Sequence, residues 1–208
     1  MLPRARVLLC QVMSWVVVGL GNPGEQYEGT RHNTGRMALD FFATKAGCSD
    51  WREDKKSNAH VSSGMLGKTT LALVCPDTFM NKSGNAISKF VKSQKAAERM
   101  VVVYDDLDLP LGKMKVSFDR GSGGHKGIES IMHAVKTKKF TRIRIGISSV
   151  TAAGKIRKPS GDKDVNDFIL SKFKANDLAE IKKIFKKAAE AIEVIVLEGR
   201  ERAMNQFN

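Results

Sequence analysis

From Trp15 onward, short apolar runs that suit strands alternate with longer stretches in which apolar residues recur every three or four positions. This alternation leaves few architectures open. Residues 15–20, Trp-Val-Val-Val-Gly-Leu, are rich in valine and stop at glycine, as a strand buried on both faces does. Residues 70–74, 100–104 and 141–147 read as further strands, the last with Ile alternating with Arg and Gly so that one face is polar. Residues 113–118 alternate as well and suit a position nearer a sheet edge. Between them lie helical patterns: Met37, Phe41 and Phe42 within 36–46; Ala86, Ile87, Phe90 and Val91 in a helix opened by Ser83; Ile128, Ile131, Met132 and Val135. A last helix over 175–197 turns Leu178, Ile181, Phe185, Ala188, Ile192 and Ile195 inward, with Lys182, Lys183, Lys186 and Lys187 largely opposite. The expected fold is a single α/β domain over 15–208, with a central mixed, mostly parallel sheet flanked by helices on both faces. Residues 154–164, basic and carrying Pro159 and Gly161, read as an exposed loop.

Charge narrows the partners. The chain has 35 Lys and Arg against 22 Asp and Glu, a net +13, which favours a polyanion and nucleic acid ahead of a membrane surface. No apolar run approaches the roughly 20 residues of a membrane span. Cys10, Cys48 and Cys75 are odd in number, far apart and in no metal-ligand spacing, so neither a disulfide framework nor a cysteine metal site is expected. Residues 1–14 contain Arg4 and Arg6 and no acid. They read as a tail or as an organelle-targeting segment, mitochondrial if it is one; otherwise a cytoplasmic location is expected.

Five segments carry chemistry. Gly19-Leu20-Gly21-Asn22-Pro23-Gly24 follows a strand with dinucleotide-fingerprint spacing, but Pro23 and the loop-like residues 27–30 leave no helix to receive a pyrophosphate. The other reading is a tight turn presenting the Asn22 amide at a strand end. Thr30-Arg31-His32-Asn33 places His32 in a loop just before a helix, and an imidazole titrating near pH ~6.5 suits a general base. In residues 78–84, Thr-Phe-Met-Asn-Lys-Ser-Gly, Asn81 or Ser83 suits a helix cap, while Phe79 and Met80 suit an apolar or stacking surface. Asp105-Asp106-Leu107-Asp108 ends the strongest strand. It suits either a magnesium site or a carboxylate that orients the histidine. Gly121-Ser122-Gly123-Gly124-His125-Lys126-Gly127 runs into a helix, as an anion cradle or as a flexible connector. His125 and His60 read as ordinary loop or surface histidines, and His133 has no evident partner.

Taken in this order and spacing, these segments, with 140–147 (FTRIRIGI), resemble the bacterial-type peptidyl-tRNA hydrolase family over about residues 15–205. The resemblance implies a metal-independent, cofactor-free esterase that cuts the bond between a peptide and the 3′ ribose of tRNA. It implies His32 as catalytic base, Asp105 as the acid that holds it, and Asn22 and Asn81 as the amides around the reacting peptide. It makes Tyr27, Phe79 and Asn81 substrate contacts, and Met80 joins them as a neighbour in the same apolar surface. One position departs: Lys126 stands where the family reads Asn, exchanging an amide for a longer cation with no acceptor. Lys126 is therefore expected to meet substrate through its charge. Lys115 and Arg144 are the nearest candidates for tRNA phosphates, with the basic 155–163 loop more remote. A monomer with no obligate protein partner and no membrane association is expected. The alternative is a catalytically inactive RNA-binding protein on the same fold, similar to organelle splicing factors.

Overall fold

The computed structural model describes residues 14–208; apart from Ser14, the segment expected as a tail or targeting peptide lies outside them. Among the described residues there are eight strands: β1 (Trp15–Gly19), β2 (Arg52–Asp54), β3 (Ala59–Leu66), β4 (Thr69–Pro76), β5 (Met100–Pro110), β6 (Met114–Phe118), β7 (Thr141–Val150) and β8 (Ile156–Arg157). Seven of them run in the order β2-β3-β4-β1-β5-β7-β6, and β8 pairs with the far end of β7. The helices are α1 (Thr34–Lys45), α2 (Ser83–Ile87), α3 (Gln94–Ala97), α4 (Lys126–Val135), α5 (Asp162–Leu170), α6 (Ala175–Leu197) and α7 (Arg200–Phe207). The sheet is mixed, as expected, and its parallel part is the centre. β1 pairs in parallel with β4 and β5, and β5 with β7, while β2, β3, β6 and β8 join antiparallel at the margins.

Strand alternation divides the core. Val17, Val101, Val103, Ile143 and Ile145 face α1, α6 and α7. Val18, Val102 and Tyr104 face the other way, toward α2 and α4. Both faces are covered, so β1 reads as an unbroken apolar run. β3 escaped the sequence reading because His60, Ser62, Ser63 and Gly64 interrupt it, and its burial follows no continuous stripe. The helix opened by Ser83 is only five residues long; Phe90 and Val91 lie beyond it. Part of the expected 154–164 loop is structured, as β8 and the first turn of α5.

Two features place the site. In the β1–β5 register Gly19 lies opposite Val103, so the turn after β1 runs beside Asp105 and Asp106, which stand in the middle of β5 and do not end it as expected, because the strand continues to Pro110 past the end of β1. α1 packs against these strands at glycine: a Cβ on Gly35 would collide with the Val103 carbonyl oxygen, and one on Gly19 would stand 2.6 Å from the Gly35 oxygen. The glycine of the first turn thus serves close helix–strand approach. The turn leads into a 3₁₀ segment, Glu25–Tyr27, and no α-helix opens there to face a pyrophosphate, so the dinucleotide reading fails.

Candidate active site

A cleft of about 950 Å³ lies beyond the carboxyl end of β1 and over residues 104–108 of β5, walled by residues 79–82, β6, the glycine-rich loop 121–126 and α5. His32 sits in its floor, in a 3₁₀ turn (Arg31–Asn33) that leads directly into α1. Its Nδ1 lies 3.1 and 3.0 Å from the two carboxylate oxygens of Asp105, although the residues are 73 positions apart. Both side chains are buried. An ionised carboxylate only accepts, so Nδ1 carries the proton and Nε2 keeps a lone pair. No hydroxyl or thiol is hydrogen-bonded to His32 among the described residues; what the ring can activate is a proton donor arriving in the cleft.

A second imidazole meets the same carboxylate. His125 Nε2 lies 3.2 Å from Asp105 Oδ1, while its Nδ1 accepts the Ile128 backbone N–H at 3.3 Å. His125 therefore caps α4 with a side-chain nitrogen, and that bond fixes its proton on Nε2, where it donates to Asp105. This corrects the expectation that His125 is an ordinary loop histidine. The signal that could have corrected it is its place one residue before a helix, with Gly123 and Gly124 in the left-handed region (φ 63° and 80°) turning the chain inward. The cap also uses one of the α4 N–H groups that an anion cradle would have offered. Burial alone would raise the Asp105 carboxyl, but the two imidazoles facing it outweigh that and hold it well below the usual carboxylate range.

Asn22 is oriented from three sides. Its backbone N–H donates to Asn33 Oδ1 at 2.8 Å, and Asn33 Nδ2 donates back to the Asn22 carbonyl at 2.9 Å. The Asn22 side-chain oxygen accepts the Met80 N–H at 2.8 Å. With the oxygen committed, the Nδ2 donor is the end left for the cleft that Asn22 lines. Asn33, given no role in the sequence reading, thus closes the turn that presents Asn22.

Asn81 is exposed on the cleft wall, and Phe79 beside it is 56 % exposed, a high value for an aromatic ring. Tyr27 stands outside the wall and meets Phe79 edge-on at 6.4 Å. Met80 reaches the cleft margin but is 4 % exposed and packed in the α2/α4 core, so its clearest part in the site is the N–H that turns Asn22. Ser83 does not cap α2; its hydroxyl donates to the Met80 carbonyl.

The acids of 105–108 diverge instead of converging on an ion. Asp106 accepts from Arg144 Nε at 2.5 Å and from the Asp108 N–H, and Asp108 pairs with Lys158. The group that does converge is His32, Asp105 and His125, whose ligand atoms lie within 4.8 Å of one another. Both ring nitrogens that face Asp105 carry protons in the bonding pattern above, and a cation there would have to displace them. Lys115 and Arg144, opposite one another on β6 and β7, both line the cleft, with Arg144 already paired to Asp106. Lys126 opens α4 beside His125, exposed and without an ion-pair partner among the described residues.

The arrangement holds a base with its proton acceptor free, a carboxylate behind it and a fixed amide donor in front. It can deprotonate water and steady a carbonyl oxygen as negative charge develops there. The comparisons agree in kind. The family model described as peptidyl-tRNA hydrolase matches residues 16–208. A peptidyl-tRNA hydrolase of Thermodesulfovibrio yellowstonii is 39 % identical over 196 residues, 93 % of this chain and 98 % of that protein. That of Mycolicibacterium smegmatis is 38 % identical over 191 residues, 91 % and 95 % of the two chains. The crystal structure of peptidyl-tRNA hydrolase from Acinetobacter baumannii superposes with a TM-score of 0.83 at 29 % identity, covering 94 % of each chain. With a match that runs from β1 to the last residue, the chain belongs to the peptidyl-tRNA hydrolase family.

Proposed function

We propose that the protein hydrolyses the ester joining a peptide, or an N-blocked aminoacyl group, to the 3′ ribose of tRNA, with His32 as the base. The observation that carries this reading is the His32–Asp105 couple with the Asn22 amide turned toward the same cleft. His32 Nε2 takes a proton from water as its oxygen attacks the ester carbonyl, and Asp105 stabilises the imidazolium that forms. Asn22 Nδ2, and Asn81 next to the Met80 that holds Asn22, donate to the carbonyl oxygen as it becomes an oxyanion. Collapse of the tetrahedral intermediate breaks the ester bond, and the imidazolium returns its proton to the departing ribose oxygen. The exposed Phe79 ring, backed by Tyr27, offers an apolar face to a peptide side chain or a terminal base. Lys115, Lys126 and Arg144 supply charge for the phosphates nearest the ribose, Lys115 and Lys126 the more freely because Arg144 shares its charge with Asp106.

The inactive RNA-binding alternative lacks support: none of the four groups it would lose, Asn22, His32, Asn81 and Asp105, is replaced. The test is release of labelled N-acetyl-aminoacyl groups from tRNA. The parent is expected to turn over, and His32→Ala to lose about 10²–10⁴ in kcat while tRNA binding persists. An inactive parent protein, or an active His32→Ala, would remove the reading.

A further inference from the structure

The residue beside the base is a cation held on several sides. Arg31 is buried, and its guanidinium lies between two aromatic rings, 4.8 Å from the Phe168 centroid and 4.9 Å from that of Phe173. Its NH1 donates to Ser171 Oγ at 3.0 Å and to the Lys172 carbonyl at 2.6 Å; its NH2 pairs with Asp177 at 3.1 Å. The backbone joins in: the Arg31 N–H donates to the Ser171 carbonyl at 3.0 Å, and Thr30 bridges to Lys172. Every one of these partners lies in residues 168–177, which run from the end of α5 through the link after it into the first turn of α6. α5 in turn carries Val165, Asn166 and Ile169 into the cleft wall.

This is an expensive way to hold a loop. The cation is taken out of water, its Nε has no partner, and one carboxylate and three neutral oxygens answer it. Buried ion pairs add little net stability over well-packed apolar groups, whereas a planar fork stacked on two rings fixes position closely. What such a grip fixes here is the 3₁₀ turn whose next residue is His32, and the Nδ1–Asp105 bond needs that turn placed to within a fraction of an ångström.

We propose that Arg31 is a positioning residue that ties α5, a wall of the substrate cleft, to the His32 turn, so that the seating of the base depends on the segment the substrate touches. The proposal rests on His32 as base but is read independently of turnover. Arg31→Lys keeps the charge and loses the fork and the stack; Phe168→Leu keeps the cation and strips one ring. In the free protein the His32 Nδ1–H, held by a carboxylate, is expected to give a far-downfield proton resonance, to be assigned by its disappearance in His32→Gln. In Arg31→Lys that resonance is expected to broaden or vanish while the methyl spectrum of the core stays native, and kcat falls about tenfold or more with KM nearly constant. Phe168→Leu is expected to act in the same direction and more weakly, and covers the case in which Arg31→Lys does not fold. A normal His32 resonance and normal kcat in a folded variant, with only the melting temperature lowered, would make Arg31 a structural clamp and overturn the proposal. If instead the parent released no ester while the resonance still responded, the coupling would stand and the assigned reaction would fall.

Discussion

Asp105 accepts from two imidazoles at once, and this explains more of the site than either histidine alone. A carboxylate has lone pairs enough for both N–H groups; an amide offers one oxygen and turns its N–H₂ toward the other ring. Asp105→Asn should therefore force one imidazole into the opposite tautomer. Where that is His32, Nε2 gains the proton and the base is lost. The expected outcome is a fall in kcat of about 10³–10⁴ with KM little changed, measured in the ester-release assay. The same residue sets a pH limit on the fold. Its carboxyl lies below the 3.8 of an unperturbed aspartate in the folded protein, so the ionised form is favoured by folding. Its contribution is complete above that ordinary value and drains away as pH falls toward the lower, folded one. The urea midpoint of the parent should drop between about pH 5 and pH 2. That of Asp105→Asn should lack this component of the fall.

At the scale of elements, α4 and the turn before it join stability to chemistry through one side chain. His125 closes the helix with Nδ1 and reaches Asp105 with Nε2. Asparagine is a good helix cap but is too short to span both. His125→Asn should therefore keep the melting temperature within a few degrees while kcat falls on the order of tenfold, the worth of one hydrogen bond to a charged group. Equal losses in both measurements would mean that His125 serves the helix alone. The margins of the sheet show a related economy. Edge strand β6 is closed by Asn208, whose amide donates to the Val116 carbonyl at 3.0 Å and accepts the Val116 N–H at 2.8 Å, and Arg200 of α7 lies over the Phe118 ring. An edge paired in this way offers less to a foreign strand.

Across the whole molecule, the net +13 becomes useful only where cations lack partners. Arg144 and Lys158, both at the cleft, are matched by Asp106 and Asp108. Lys115 and Lys126 have no such match among the described residues. If these two and the shared Arg144 meet phosphates, log K should fall against log salt with a slope of about −2.1 to −2.7 from the cleft alone. Lys126→Asn should flatten that slope by about 0.7, read by fluorescence anisotropy on a labelled tRNA at several salt concentrations. An unchanged slope would leave Lys126 facing the peptide.

The sequence by itself determined the core of the fold and most of the cleft's cast. Valine-rich runs at β1 and β5 and the long periodic stripe of α6 bury the same way in any context, because burial is a property of pattern. His32, Asn22 and the acids of 105–108 could be singled out because turn-like or strand-end positions give polar residues no purpose in the core, whereas Asn81, which reads as a helix cap by itself, was named only through the family resemblance. Only the tertiary structure decided what each faces. It made His125 the second donor to Asp105, set Met80 into the core with its N–H on Asn22, and gave Arg31 its seat between rings from a segment about 140 residues away. Those contacts depend on the register between distant strands and on where a helix begins. A hydrogen bond is decided by tenths of an ångström, which no periodicity in the chain encodes.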